Sequence, residues 1–277
     1  MSSEEMISAS RAADLKQVAK ELAAARTSGV LMDDLGGTLR VLSMAEAYYV
    51  HREMVQREGP DSGAGYLGPV GGWKVGAPTA DATPAFAPMP LRWINRSATK
   101  PGEMAVIERH RYRAVEAEIA FYVGVSLPPR GTNYSREEIV AAMASCHPAI
   151  ELLEAAFPDP DAVEKFSQVA DLQSNGGFVP GPKVDGWQQI DFAKEGVQVI
   201  VDGAVEVERV ASNSAGTDLL RLVEWLVNVG SVGYGGVKAG DWITTGSWTG
   251  KTQCALGAVV EVRFSTAGSV KMKFASA

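Results

Sequence analysis

The sequence predicts an α+β protein in which a small helical portion precedes a β-rich body. Three observations carry this expectation: helical periodicity concentrated near the N-terminus, a series of short β-type runs beyond residue 100, and two later helices that do not alternate one for one with the strands, as a doubly wound sheet would require. With 277 residues, 46% of them hydrophobic, the chain can bury a substantial core. We expect a helical portion over residues 1–70 and a β-rich catalytic domain over 71–277.

The first helix is expected from about Ser8 to Thr27, with Leu15, Val18, Ala19 and Leu22 at helical spacing and a stop at Ser28-Gly29. A second starts at Ser43-Met44-Ala45-Glu46, a capping box, and ends before Gly59-Pro60. Residues 61–90 are rich in Gly, Pro and Ala, with one strand-like run, Gly72 to Gly76, and mark the boundary with the body. The expected strands are Ala105 to Glu108, Ala114 to Gly124, Ala149 to Leu153, Gly177 to Val179, Gly196 to Val201, Trp242 to Thr245, Ala258 to Phe264 and Ser269 to Phe274. The last two form a hairpin about Ser265-Thr266-Ala267-Gly268. One helix among them starts at the capping box Ser135-Arg136-Glu137-Glu138 and ends near Ser145; another runs from Thr217 to Val229.

A net charge of -7 argues against a nucleic-acid partner, and the densest basic run, Arg109 to Arg113, holds three arginines. Cys146 and Cys254 match no metal or redox spacing and fit reduced thiols in a cytoplasmic protein. The opening Met-Ser-Ser-Glu-Glu lacks the pattern of a signal peptide, and no apolar run reaches membrane-spanning length.

In Val115-Glu116-Ala117-Glu118-Ile119-Ala120-Phe121, alternation sends both carboxylates to one face and the apolar residues to the other. The pair is either a solvated strand face or part of a hard-metal site, because close, half-buried carboxylates repel unless a cation lies between them. Glu151 lies in the apolar run Ile150 to Leu153; Glu154 faces the other way, so one of the two can join the pair. Glu151 is either an edge-strand carboxylate or the third ligand of a site with Mg2+ character. Lys74, flanked by small and apolar residues, is a surface lysine or an acid-base group with a depressed pKa. The loop from Ala170 to Gly177 is a tight turn or a ligand-facing backbone.

Near the C-terminus, Gly246 and Gly250-Lys251-Thr252 are separated by three residues, where a P-loop needs four, and no helix follows. A Gly-Ser-x-Thr-Gly turn can instead offer N–H and hydroxyl donors to a carboxylate or oxyanion.

The ordered motifs Gly-Trp-Lys-Val-Gly at 72–76, Val-Glu-Ala-Glu-Ile at 115–119, Pro-Ala-Ile-Glu-Leu at 148–152, Ala-Asp-x-x-Ser at 170–174 and Lys-Ala-Gly-Asp-Trp-Ile-Thr-Thr-Gly-Ser at 238–247 resemble the fumarylacetoacetate hydrolase superfamily. Within it the chain resembles the 2-keto-4-pentenoate hydratase and 4-oxalocrotonate decarboxylase branch. The resemblance implies a mixed-sheet body like the C-terminal domain of that superfamily, and Mg2+ or Mn2+ on Glu116, Glu118 and Glu151. It further implies Lys74 as the acid-base residue, substrate contacts at Ser174, Gly246 and Ser247, and a homo-oligomer. The implied reaction is hydration of a 2-hydroxy-2,4-dienoate, a small anionic acid of aromatic catabolism. Decarboxylation of a 2-keto dioate or C–C hydrolysis of an acylpyruvate would use the same site, and a non-catalytic metal-stabilised binding protein is the alternative outside enzymology. The chain departs from the pattern at Leu172 and Gln173, at Ala87-Pro88-Met89-Pro90-Leu91, where an acidic residue is usual, and at His51, where glutamine is common.

Overall fold

Helix start signals in the sequence operate as expected. In the computed structural model, which describes residues 7–55, 66–108 and 110–276, the Ser8 side chain accepts from Arg11 N–H at the head of α1 (Ala9–Ser28). That helix stops at Gly29, whose φ of 74° is the left-handed cap that glycine adopts without strain. Ser43 likewise caps α2 (Met44–Met54). The Glu46 carboxylate accepts from Leu42 N–H and holds Arg11 of α1, so it ties two helices together in place of closing a capping box. The expected stop at Gly59-Pro60, the Met-Ser-Ser-Glu-Glu opening and Arg109 lie outside the described residues.

The body holds two sheets. The larger contains β1 (Val70–Gly76), β2 (Ala85–Pro90), β4 (Ala114–Val123), β5 (Met143–Leu153), β6 (Asn175–Pro180) and β9 (Trp242–Thr244) in the order β2-β1-β9-β4-β5-β6, with β10 (Thr252–Gln253) also paired to β4. The smaller runs β3-β12-β11-β7-β8 and contains β3 (Ala105–Ile107), β7 (Gly196–Val201), β8 (Ala204–Val210), β11 (Val259–Phe264) and β12 (Ser269–Phe274). Both are mixed: β1 with β9 and β3 with β12 are parallel, whereas the remaining pairs are antiparallel. The two ends of the larger sheet curl towards each other, so that β2 lies against β6.

Besides the two-residue β10, which the sequence does not mark, three strands differ from the sequence expectation. The prolines of β2 argue against a strand interior, but β2 is the sheet edge, where a missing N–H breaks no second ladder. The β8 strand is exposed almost throughout and gives no burial signal. Its signal was the Asp202-Gly203 turn, both residues left-handed, which closes a two-residue hairpin from β7. Finally, α3 (Arg136–Ala142) ends early and β5 begins at Met143, not Ala149. The extra residues pair with the distal half of β4, as far as Val123. The helix expected to reach Val229 is α5 (Leu219–Trp225), continued by a π-helical turn to Gly230.

One core joins the helices to both sheets: Leu15, Val18 and Leu22 of α1 and Met54 of α2 are buried with Trp73, Phe121, Val223 and Val262. Each such side chain contributes roughly 1.5–3 kcal/mol relative to exposure. A second small cluster, Met89, Ala120, Ala149, Phe178 and Trp242, fills the inner face of the curled sheet. Close packing there needs glycine: a Cβ on Gly72 would stand 2.7 Å from the Trp242 carbonyl oxygen. Among the described residues no helix is long and apolar enough to cross a membrane.

Candidate metal centre

Sheet register assembles the carboxylates. Alternation along β4 sends Glu116 and Glu118 to one face, and antiparallel pairing sets Glu151 of β5 directly opposite Glu116. One oxygen from each of the three lies within 4.8 Å of the others. Lys74 of β1 is level with Thr244 of β9, which is level with Ala120 of β4, so lysine and glutamates share the inner face. Glu154 stays outside the group and holds Arg111 through its side chain and backbone N–H.

Glu118 and Glu151 are both 0% exposed, and each has one tethered and one bare oxygen. Glu118 Oε2 accepts from the Thr244 hydroxyl and from Gly246 N–H, the latter at 3.0 Å. Glu151 Oε1 accepts from Asn175 Nδ2 at 2.8 Å and faces Lys74 Nζ at 3.0 Å. Glu118 Oε1 and Glu151 Oε2 are buried without a hydrogen-bond partner among the described residues. An unpartnered buried carboxylate oxygen is costly, and two of them beside Glu116 form a hard-oxygen donor set that fits a divalent cation.

The electrostatics agree with this reading. Burial first, then repulsion from Glu151, pushes the Glu118 carboxyl well above its ordinary range. Glu116 is raised by burial, opposed by Lys74 and reinforced by Glu151. Lys74 departs from expectation, because its pKa is raised. Burial works to lower it, but Glu151, Glu116 and Glu118 together outweigh that effect and hold the ammonium charged. The sequence could not show this, because the sign depends on three carboxylates from two other strands.

Lys74 Nζ also donates to the Gln173 carbonyl at 3.2 Å. That carbonyl belongs to an unusual loop: Leu172, Gln173 and Ser174 have φ of 52°, 50° and 59°. Non-glycine residues in this region cost about 1–2 kcal/mol each, so the surroundings must hold them. Arg26 at the end of α1 brackets the loop. Its Nε donates to Asp171 Oδ1 at 2.7 Å, Nη2 to the Asp171 carbonyl at 2.8 Å and Nη1 to the Asn175 carbonyl at 3.0 Å. Gln173 Nε2 donates to the Phe86 carbonyl on the edge strand at 2.7 Å. The departure at Gln173 therefore ties this loop to β2.

Lys74, Glu116, Gln173 and Ser174 line a cavity of about 740 Å³. Tyr48, Leu153, Val169 and Trp225 form further wall, and Tyr112, Asp161, Lys165 and Lys251 lie at the more exposed end. Of the expected substrate contacts, Ser174 is in this wall with its hydroxyl unpartnered. Gly246 reaches the site through Glu118, while Ser247 contacts Glu116 and accepts from Gly250 N–H. Sequence reasoning missed Thr244, Asn175, Arg26 and Tyr48. Thr244 and Asn175 stood in motifs already singled out; Arg26 looked like an ordinary last-turn base.

The structure search finds a long match in 4-oxalocrotonate decarboxylase from Pseudomonas putida G7, complexed with magnesium and adipate: 20% identity, TM-score 0.77, covering 94% of this chain and 97% of that one. A fumarylacetoacetate hydrolase family protein from Yersinia pestis CO92 matches at 14% identity and TM-score 0.51, over 74% of this chain and 93% of that one. This chain has the fumarylacetoacetate hydrolase fold. Fumarylpyruvate hydrolase from Pseudomonas aeruginosa, in complex with Mn2+ and pyruvate, shares that fold at 14% identity and TM-score 0.52, over 74% of this chain and 89% of that one. No protein-family model and no curated protein matches the sequence.

His51, where glutamine is common in the resembled branch, is fully buried on α2, with Nε2 2.5 Å from the Val169 carbonyl oxygen. Burial depresses its pKa from 6.5 to about 4. The unfolded imidazole takes up a proton as pH falls through 6.5, whereas the folded one stays neutral until about 4, so its contribution is full above 6.5 and lost through that window. His51→Gln keeps a donor for Val169 and cannot titrate. Urea midpoints of wild type and variant should therefore diverge between pH 7.5 and 4, with wild type losing on the order of 3 kcal/mol more; parallel pH curves would refute this account.

Proposed function

We propose that the protein is a metal-dependent enzyme acting on the enol of a short 2-keto acid, and that its reaction is hydration of a 2-hydroxy-2,4-dienoate. The carrying observation is the pair of buried carboxylates, Glu118 and Glu151, each with one oxygen anchored and one bare, facing a charged lysine in the wall of a cavity. Glu116, Glu118 and Glu151 would hold Mg2+ or Mn2+. When bound, such an ion supplies Lewis-acid polarisation of the substrate's carboxylate and C2 oxygens.

This chain's own residues do the remainder. Thr244 and Gly246 N–H fix the rotamer of Glu118, and Asn175 fixes Glu151. Lys74, kept charged by its neighbours, holds a proton at Nζ within the cavity for transfer during ketonisation. The Ser174 hydroxyl is free to donate to the substrate carboxylate. Leu153, Val169 and Trp225 give the conjugated chain an apolar wall.

A second reading, decarboxylation of a 2-keto dioate, draws on Lys165 and Lys251 at the exposed end, where a second carboxylate would find cations. Asp161 already pairs with Lys251, whereas Lys165 has no hydrogen-bond or ion-pair partner among the described residues. The likeness to a 4-oxalocrotonate decarboxylase supports the same reading.

The test is a substrate panel of 2-hydroxypentadienoate, 4-oxalocrotonate and an acylpyruvate, assayed with Mg2+ and after EDTA. Loss of the dienoate chromophore without CO2 supports the hydratase; CO2 from 4-oxalocrotonate selects the decarboxylase, and pyruvate from the acylpyruvate a hydrolase. Turnover is expected to vanish with EDTA and return with Mg2+ or Mn2+. Activity unaffected by chelation would sink the metal reading, and tight metal binding without turnover would leave a binding protein.

A further inference from the structure

The edge strand β2 carries Ala87-Pro88-Met89-Pro90 and no titratable side chain, so it offers no proton donor to a site that moves protons between two ends of a conjugated substrate. Of the other titratable residues of the cavity wall, all but Lys165 are already engaged. Glu116 belongs to the metal group, Lys74 is held by Glu151 and Gln173, and Asp161 pairs with Lys251, which also contacts Tyr112. Lys165 lies at the exposed end. Tyr48 remains.

Tyr48 lines the same cavity from α2. Its ring packs on Phe86 with centroids 4.5 Å apart, and its phenol contacts the Phe86 backbone. Phe86 lies on the edge strand β2, so its main-chain groups have no second strand to pair with, and its carbonyl accepts from Gln173. The residue that carries Tyr48 thus also carries Gln173, whose carbonyl holds Lys74. No acceptor among the described residues takes the Tyr48 hydroxyl proton, and Tyr48 is half-buried in the cavity wall. Burial raises its pKa to about 12, so the phenol is protonated at neutral pH.

Resting on the hydratase reading above, we propose that Tyr48 is the second proton donor of this site, serving the end of the substrate remote from its carboxylate. The Tyr48 O–H bond breaks as a C–H bond forms at C5 of the dienolate. The electron pair comes from the C4–C5 double bond, and the C2–C3 pair becomes the C3–C4 double bond. The C2 oxygen, having given its enol proton to solvent, becomes the carbonyl, and solvent returns a proton to the phenolate. Lys74 and Tyr48 then divide the work, one at the carboxylate end and one at the diene end. The division gives the N-terminal helices a part in the chemistry.

The test is Tyr48→Phe, which keeps the ring against Phe86. With 2-hydroxyhexa-2,4-dienoate in D2O, the wild type should place one deuterium at C5 in a single configuration. The variant, with unchanged metal content and thermal midpoint, should turn over about a hundredfold more slowly and label both faces of C5. Retention of rate and single configuration in Tyr48→Phe, with an active wild type, overturns the assignment of Tyr48 alone; a wild type inert towards every dienoate overturns the hydratase reading instead. Should Tyr48→Phe not fold, 3-fluorotyrosine at position 48 lowers the phenol pKa. It should move the alkaline limb of turnover to lower pH, and an unmoved limb overturns the proposal.

Discussion

Replacing Lys74 by alanine is expected to lower turnover by about 10²–10⁴-fold, the usual worth of a positioned acid-base group, while the protein still binds metal. The structure adds a second expected result. Lys74 Nζ is 3.0 Å from Glu151 Oε1 and 4.0 Å from Glu116 Oε2, so its removal leaves the carboxylates without their protein cation. Lys74→Ala should therefore be less stable than wild type in EDTA and recover most of the difference in saturating Mg2+, because a divalent ion can balance the same charges. Isothermal titration and thermal melts with and without metal measure both effects. Unaltered turnover would remove Lys74 from the chemistry, and loss of metal binding would reassign it to holding the glutamates.

The second large effect is expected at the loop that adjoins the carboxylates. Arg26 and Asp171 form an ion pair whose side chains are both 1% exposed. Arg26→Met should cost about 3–5 kcal/mol, because Asp171 would be left as an uncompensated buried charge. Two carbonyls at the ends of the 171–175 loop would lose their donor at the same time. The double variant Arg26→Met/Asp171→Leu should regain part of the stability, since no buried charge is then stranded. Turnover should stay low in both, because the left-handed residues that carry the Gln173 carbonyl have lost their bracket. Urea unfolding and steady-state assays separate the two; full activity in Arg26→Met would show that the loop holds its shape unaided.

These two sites differ in how far the sequence revealed them. The carboxylate face was legible because strand alternation is strict: Glu116 and Glu118 had to point together, and Glu151 was conspicuous as a charge within an apolar run. Capping serines marked helix starts to within a residue, and the last hairpin followed from its turn. Beyond that, the signal was non-local. Arg26 and Asp171 are 145 residues apart, with β1 to β5 between them, and nothing in the last turn of a helix says that its arginine will be buried. The prolines of β2 concealed a strand because edge position, which makes them tolerable, is a property of the assembled sheet. The direction of the Lys74 shift was misjudged for a related reason: burial was foreseeable, but the combined attraction of three carboxylates was not.

The cavity has walls of unequal mechanical character. The glutamates stand on β4 and β5, which are paired on both sides, so Glu118 and Glu151 cannot move apart without breaking the middle of a sheet. Tyr48 stands on α2, held by packing against α1 and α4 (Lys165–Ala170) and not by a hydrogen-bond ladder. Side-chain packing tolerates substitution of similar volume, whereas a one-residue slip in a strand sends every side chain to the opposite face. New substrate preferences can therefore arise by changing the helical wall, while the wall that holds the metal group stays as it is.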